Sequence, residues 1–407
     1  MVNRPSADAA GALAGAVDAS LIDRLTCALI EAPSVNPGGT EQAAVDVLAG
    51  ACRELGFSVD LHEAAPGRPN LTATIGDGAG PGLLLLGHSD VVPPGPGWTA
   101  DPFVVRRDGD LIIGRGAADM KGGVAAAVAA LAVLSHANEH GIALSGPVTL
   151  AVTVDEEESN TGARALVDAW SSRPAGGPSY RGCIVAEPTN LQVVRGCRGA
   201  SQWDITITGR AAHSGRPADG VNAIGVAAEL IALLEKDQTR LATIGDPLLG
   251  HGTWNVGTIE GGEAINIVAP GCRLGVDRRL MPGESVGAVA DELRSTIDGS
   301  GICGDGASIE LAPKMELPGF VTAADHPLVA ATVAALGDEG VSASVGGWTA
   351  ACDGGYISRD LGVPTVVMGP GDLSGQAHRP DESVSLAELT TAARAYVRAA
   401  VALLSAP

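Results

Sequence analysis

Apolar positions recur along this chain with two different periods, and the switch between them divides it. Up to residue 195, helical spacing covers 20–31 and 40–55, a long Ala/Val helix spans 123–140, and another helix covers 161–170. Between them lie short runs, apolar on both faces, at 71–75, 83–86, 147–154 and 183–186. Strands of that kind alternating with helices predict a mostly parallel sheet covered on both sides. Near Arg195 the texture changes. Positions 202–208 alternate strictly, with Trp203, Ile205 and Ile207 on one face and Asp204, Thr206 and Thr208 on the other. A helix at 221–235, strands at 253–259 and 272–276, and a helix at 286–297 follow. They predict a small α+β domain on an antiparallel sheet. After about Glu310 the first texture returns, with a helix at 327–336, a strand at 365–368 and a terminal helix from Leu386. The expected architecture is α/β, with one domain made of 1–195 and 311–407 and an inserted α+β domain over 196–310.

Composition sharpens this picture. The 407 residues are 45% apolar and 18% charged, as a globular chain of two or three domains should be. Aromatic residues make up only 3%, so Ala, Val, Leu and Ile must build the cores, while 56 Gly and 25 Pro mark many turns. Lysine and arginine number 26 against 47 acidic residues, a formal net charge of −21. Such a balance repels phosphate backbones and anionic lipid, which argues against nucleic-acid and membrane-surface partners. The longest apolar run, 124–134, falls short of the roughly 20 residues that span a bilayer. Asp8 and Asp18 interrupt any signal-peptide core. Seven scattered cysteines with no CxxC pair read as core residues in a reducing compartment, so the cytoplasm is the expected location.

Candidate chemistry collects just after predicted strands, where open α/β sheets place their sites. Gly87-His88-Ser89-Asp90 offers an imidazole, with an acid two residues on that can hold the other ring proton. Asp119 sits on the tight turn of Gly114-Arg115-Gly116-Ala117-Ala118-Asp119-Met120-Lys121-Gly122-Gly123. The tract Asp155-Glu156-Glu157-Glu158 follows a buried strand and precedes a helix, and Glu187 is stopped and aimed by Pro188. His378 lies in a loop before the terminal helix. Each has a plainer reading taken alone: a surface turn, a helix N-cap, a solvated charge run, a loop histidine. Together they supply two imidazoles and several carboxylates, a donor set suited to a pair of Zn²⁺ ions that make water nucleophilic.

This ordered set resembles the di-zinc aminoacylase/carboxypeptidase metallohydrolase family, on its acetylornithine deacetylase and succinyl-diaminopimelate desuccinylase side. The resemblance rests on GHSDVVP (87–93), GRGAADMKGG (114–123), VDEEESNTGAR (154–164), AEPTNLQ (186–192), GRAAHSG (209–215), NIVAPGCRLGVDRRLMPGE (266–284) and GPG with AHRPDE (369–382). It implies two divalent metal ions per subunit, zinc or cobalt. His88 and Glu187 would hold one, Glu157 and His378 the other, and Asp119 would bridge both. Asp90 would orient His88, and Glu156 would be the general base. Glu158 would be an exposed extra. The resemblance also implies a homodimer formed through the inserted domain, with His213 reaching the partner's site to stabilise the oxyanion. Asn266 and Arg279 would grip the substrate carboxylate, with Arg198 as a second cation.

The activity implied is hydrolysis of the N-acyl amide of a small amino-acid-like carboxylate. A dipeptidase or glutamate carboxypeptidase is the alternative within the family, and a non-catalytic small-molecule-binding protein the alternative outside it. Two departures blur the acyl group. Ala351-Cys352-Asp353-Gly354-Gly355 lacks the arginine that desuccinylases carry at its end, while Gly196-Cys197-Arg198-Gly199 is closer to their pattern. His136-Ala137-Asn138-Glu139-His140 fits the inverted zinc-protease motif but is expected to cap the Ala-rich helix. Gly76–Gly80 lacks the strand-to-helix setting of a dinucleotide loop and reads as a turn.

Overall fold

The strongest apolar runs become the centre of a nine-stranded sheet in the computed structural model, which describes residues 7–173, 177–304 and 306–405. Strands Val148–Thr153, Gly82–His88, Tyr180–Val185 and Thr365–Val367 lie side by side and parallel. Gly82–His88 and Val148–Thr153 are buried at every position, which is why neither alternates. The flanks are antiparallel: Arg68–Ile75 on one side, followed by Ser58–Ala65, and Val193–Cys197 on the other. Thus the mostly parallel sheet keeps its parallel strands in the middle. Thr365–Val367 comes from the far end of the sequence, so the first and last segments share one sheet.

Helices close over this sheet. Gly122–Leu134 is buried except at Ala132, because small side chains let it sit directly on the strands. Gly123 has no room for a Cβ, which would stand 2.2 Å from the Ala186 carbonyl oxygen. The start of this helix therefore presses on the strand end that carries Glu187. The 18-residue stretch Ala117–Leu134 is long and apolar enough to cross a membrane, but 94% of it is buried in the protein. The sequence pattern extended this helix to 140. It stops at Leu134, where the apolar stripe ends, and Ala137–His140 forms a separate 3-10 turn closed by left-handed Gly141. There Nδ1 of His136 meets Glu139 Oε1 at 3.0 Å in solvent, so the inverted zinc-protease pattern reads as a surface pair. None of the seven cysteines is in a disulfide, and five are buried.

By contact density the chain falls into two units. One comprises residues up to Gly196, Val321–Gly346 and everything from Tyr356; the other comprises Cys197–Phe320 and Gly347–Gly355. The second unit is a four-stranded antiparallel sheet in the order Thr253–Gly261, Gly271–Leu280, Gly199–Thr208, Ser308–Leu317. Trp203, Ile205 and Ile207 point into a core completed by helices Ala223–Ala242 and Val286–Ser300. On the opposite face Asp204 pairs with Arg273 and with Lys314, 2.6 Å away. The expected boundary at 310/311 falls inside Ser308–Leu317, which pairs along Gly199–Thr208 and so belongs to the second unit. Pro313 and a register shift at Pro313/Met315 break this strand's alternation, which hid it in the sequence. Strand Ser58–Ala65 was hidden by polar residues suited to a sheet edge.

Candidate metal centre

Three strand-end segments, one tight turn and one loop of the first unit bring their side chains together. His88 ends the fully buried strand Gly82–His88 and is itself 1% exposed. Its Nε2 lies 3.3 Å from Asp119 Oδ1 and 3.5 Å from Glu187 Oε1. Asp119 occupies the turn Ala117–Lys121 with extended dihedrals, φ −120° and ψ 96°, so it is no helix cap. Its second oxygen faces Nε2 of His378 at 3.4 Å, and the carboxylate thus spans both rings. His378 Nε2 is also 3.1 Å from Glu157 Oε2. One donor atom each from His88, Asp119 and Glu157 lies within 4.8 Å of the others, and the same holds for His88, Glu156 and Glu187. His88, Asp119, Glu157, Glu187 and His378 therefore converge, with Glu156 alongside and Glu158 exposed.

The acidic tract keeps this aim through a second tier of contacts. Asp155 sits at φ 65°, a left-handed conformation that a non-glycine residue holds only when its surroundings enforce it. Its carboxylate accepts from Asn36 Nδ2 at 2.9 Å, Arg68 at 3.0 Å and the Thr161 amide at 3.2 Å. Arg68 is in turn paired with buried Glu41. Asp90 plays a wider part than orienting His88. The ring's Nδ1 is closest to the Asp90 main-chain oxygen, at 3.0 Å, with the carboxylate at 3.5 Å. That carboxylate accepts from the backbone N–H groups of Glu156 and Glu157, both at 3.1 Å, and from Asn36 at 2.9 Å. Asn36, Glu41 and Arg68 lie so far from the motifs in sequence that no local signal marks them.

Electrostatics set the protonation of the cluster. Burial opposes ionisation of Asp119, yet hydrogen bonds with His378 and His88 outweigh it and hold the carboxyl low. Burial and the neighbouring Asp119 charge push Glu157 up. Asp119 and Glu157 raise His378 to about 10. Burial disfavours the His88 cation, but Glu187, Asp119 and Asp90 more than compensate and raise it well above its ordinary value. Among the described residues, buried Glu157 Oε1 has no hydrogen-bond partner. Gathered carboxylates, two imidazoles in contact with them and an orphaned acceptor fit divalent cations bound by mixed N and O donors.

A consequence is proton release. Both rings hold protons that a cation must displace, so binding tightens as pH rises towards about 10, the His378 value, and weakens as pH falls. Titration of Zn²⁺ at neutral pH in buffers of different ionisation enthalpy is expected to release about two protons per filled centre. A heat of binding independent of the buffer would contradict this protonation pattern.

The remaining predicted residues belong to the second unit. His213 is exposed, and its Nδ1 accepts from the Gly215 amide at 3.0 Å, which leaves Nε2 as the donor of the neutral ring. It pairs across a bridge with Ile267, next to Asn266. Burial and the charge of Arg279 lower the pKa of Arg198, so two guanidinium groups lie close to each other. Asp277 binds Arg279 Nε at 2.9 Å, and the His251 carbonyl accepts from Arg198 at 2.7 Å.

Residues 84–402 match the model of peptidase family M20/M25/M40. The chain belongs to that family. Acetylornithine deacetylase of Proteus mirabilis is 34% identical over 364 residues, 88% of this chain and 89% of the relative. That of Aliivibrio salmonicida is 34% identical over 340 residues, 82% and 84% of the two chains. Among solved structures, a family M20 metallo-carboxypeptidase from Sulfolobus solfataricus superposes with a TM-score of 0.76 at 20% identity, covering 94% of this chain and 98% of that one. A tripeptidase from Staphylococcus aureus gives 0.74 at 23% identity, covering 95% and 99%. Those two likenesses establish the fold. As a family M20 member the protein is a metal-dependent hydrolase acting on amide bonds.

Proposed function

We propose that the protein is a deacylase that splits the N-acyl amide of a small amino-acid-like carboxylate, with N-acetyl substrates of the acetylornithine kind foremost. The observation that carries this reading is the convergence of His88, Asp119, Glu157, Glu187 and His378 around a carboxylate, Glu156, which the donor set does not need. Two divalent cations, zinc foremost and cobalt as the other candidate, would lower the pKa of water and polarise the amide carbonyl. Asp119 would bridge them, His88 with Glu187 would hold one, and Glu157 with His378 the other.

The chain's own groups supply the rest. Glu156 accepts the proton of the attacking water and delivers it to the leaving amine, so one carboxylate serves as base and then as acid. In a homodimer formed through the second unit, His213 donates Nε2–H to the oxyanion in the site of a second copy. Its ring is already in the right tautomer, because Nδ1 is occupied by Gly215. Asn266, Arg279 and Arg198 receive the substrate carboxylate, and the crowding of the two cations makes an anion welcome there. Cysteines that form no disulfide support a cytoplasmic location.

Glycine rather than arginine at position 355 favours a neutral acyl group over a succinyl one. A Cβ at Gly355 would meet the Pro318 carbonyl oxygen at 1.9 Å, so no arginine can stand where desuccinylases carry one. Hydrolysis of N-acetyl, N-formyl and N-succinyl amino acids and of dipeptides, with Zn²⁺ or Co²⁺, is the test. N-acetyl compounds are expected to turn over faster than N-succinyl ones. Turnover of dipeptides alone would make the protein a dipeptidase, and no turnover of any amide would remove the enzyme reading.

A further inference from the structure

His378 lies in the loop 369–382 and Asp119 in the segment 114–123. What joins them is a buried pair that neither role uses. Arg115 is 1% exposed and Glu382 0%. Glu382 Oε2 accepts from Arg115 Nη1 at 2.6 Å and from the Gly116 amide at 3.1 Å. Its Oε1 accepts from the amides of Ala118, at 2.8 Å, and of Asp119, at 2.9 Å. The Glu382 main-chain oxygen takes a fourth backbone bond, from Gly114, at 2.9 Å. Arg115 extends the connection to a third segment. Its Nη2 donates to the Pro94 carbonyl at 3.1 Å, and its guanidinium lies 5.1 Å from the centre of the Trp98 ring, six and ten residues past His88.

We propose that Arg115 and Glu382 form a positioning device for the metal centre: by grasping the backbone of the Asp119 turn from the His378 loop, Glu382 fixes the Asp119 carboxylate between the two imidazoles and so sets how tightly cations bind. This rests on the metal-centre reading above. Neither residue touches a cation or substrate; both act through Asp119. The geometry leaves little tolerance. A glutamine at 382 has one acceptor oxygen for two sides: its NH₂ must face either Arg115 and Gly116 or the amides of Ala118 and Asp119, donor against donor. The turn would then relax, and the Asp119 oxygens would lose their span between His88 and His378. Supporting partners of this kind are typically worth about 10–100-fold in metal affinity.

The test compares Glu382→Gln and Arg115→Lys with the wild-type chain. Zn²⁺ affinity is measured by chelator competition, the melting of the metal-free proteins by circular dichroism, and the visible spectrum after Co²⁺ loading. Glu382→Gln is expected to bind Zn²⁺ about 10–100-fold more weakly and to show altered Co²⁺ absorption bands. Arg115→Lys keeps the charge but loses the forked donor and the Trp98 stack, and an intermediate loss is expected. With saturating cation, KM for an N-acyl amino acid should stay near the wild-type value while kcat falls. Native Zn²⁺ affinity with unchanged Co²⁺ bands in either folded variant overturns the proposal. Should Glu382→Gln fail to fold, Arg115→Lys decides by the same readouts. If the wild-type chain itself binds no Zn²⁺, the metal-centre reading fails instead, and the two failures are told apart by that control.

Discussion

Glu156→Gln is expected to lower kcat by about 10²–10⁴-fold while KM, cation content and fold stay close to wild type. The substitution keeps shape and hydrogen-bonding length and removes only the ability to take and return a proton. Three features isolate that change. Glu156 is placed by its backbone N–H, which donates to Asp90 and is untouched by a side-chain substitution. The turn is also fixed by Asp155 and its partners Asn36, Arg68 and Thr161. Moreover, His88, Asp119, Glu157, Glu187 and His378 offer five donors besides it, so under the proposed ligand set the cations need no contribution from residue 156. Steady-state kinetics and metal analysis of the same preparation check it. Full turnover would assign the proton transfer elsewhere; loss of metal together with activity would make Glu156 a ligand.

Asp90→Ala should cost both stability and activity. Its buried carboxylate gathers the Asn36 amide, the two amides that shape the acidic turn, and the back of the His88 ring. Burial opposes its ionisation, yet His88, Asn36 and the Glu157 amide more than offset that and hold the carboxyl below the ordinary range. Truncation leaves those donors buried and unmet, at about 1–3 kcal/mol for each unsatisfied group. A loss of several kcal/mol on that scale is expected in denaturant unfolding. Activity should fall by about 10–100-fold even where the protein is folded, because His88 and the Glu156–Glu157 turn lose their support. Asp90→Asn keeps size and one acceptor, and should recover part of the stability. An Ala variant with wild-type unfolding midpoint and kcat would show that the neighbouring contacts are redundant.

Much of the fold was legible because its strands and helices report their burial directly. The unbroken apolar runs of Gly82–His88 and Val148–Thr153 are what a doubly covered parallel strand must look like, and the alternation of Trp203, Ile205 and Ile207 is what a one-sided sheet must look like. Ser58–Ala65 and Ser308–Leu317 escaped because edge strands half in water carry no such demand. Helix 123–140 was overextended because Ala-rich composition does not encode where packing ends. The residues that meet at the centre were legible as motifs, since each lies at a strand end or on a tight turn.

The residue types and motifs, then, singled out the side chains proposed to bind a cation or move a proton, and the kind of element each one rides on. Those are properties of residue type and local period. The tertiary structure alone decided how they are held. Asp119 spans two imidazoles because Glu382, 263 residues away, grips its amide. The acidic turn is aimed because Arg68, 87 residues from Asp155, and Asn36, 119 residues from it, meet its carboxylate. Such contacts leave no periodic trace, because a buried hydrogen bond needs only two complementary groups in place and imposes no spacing on the chain between them.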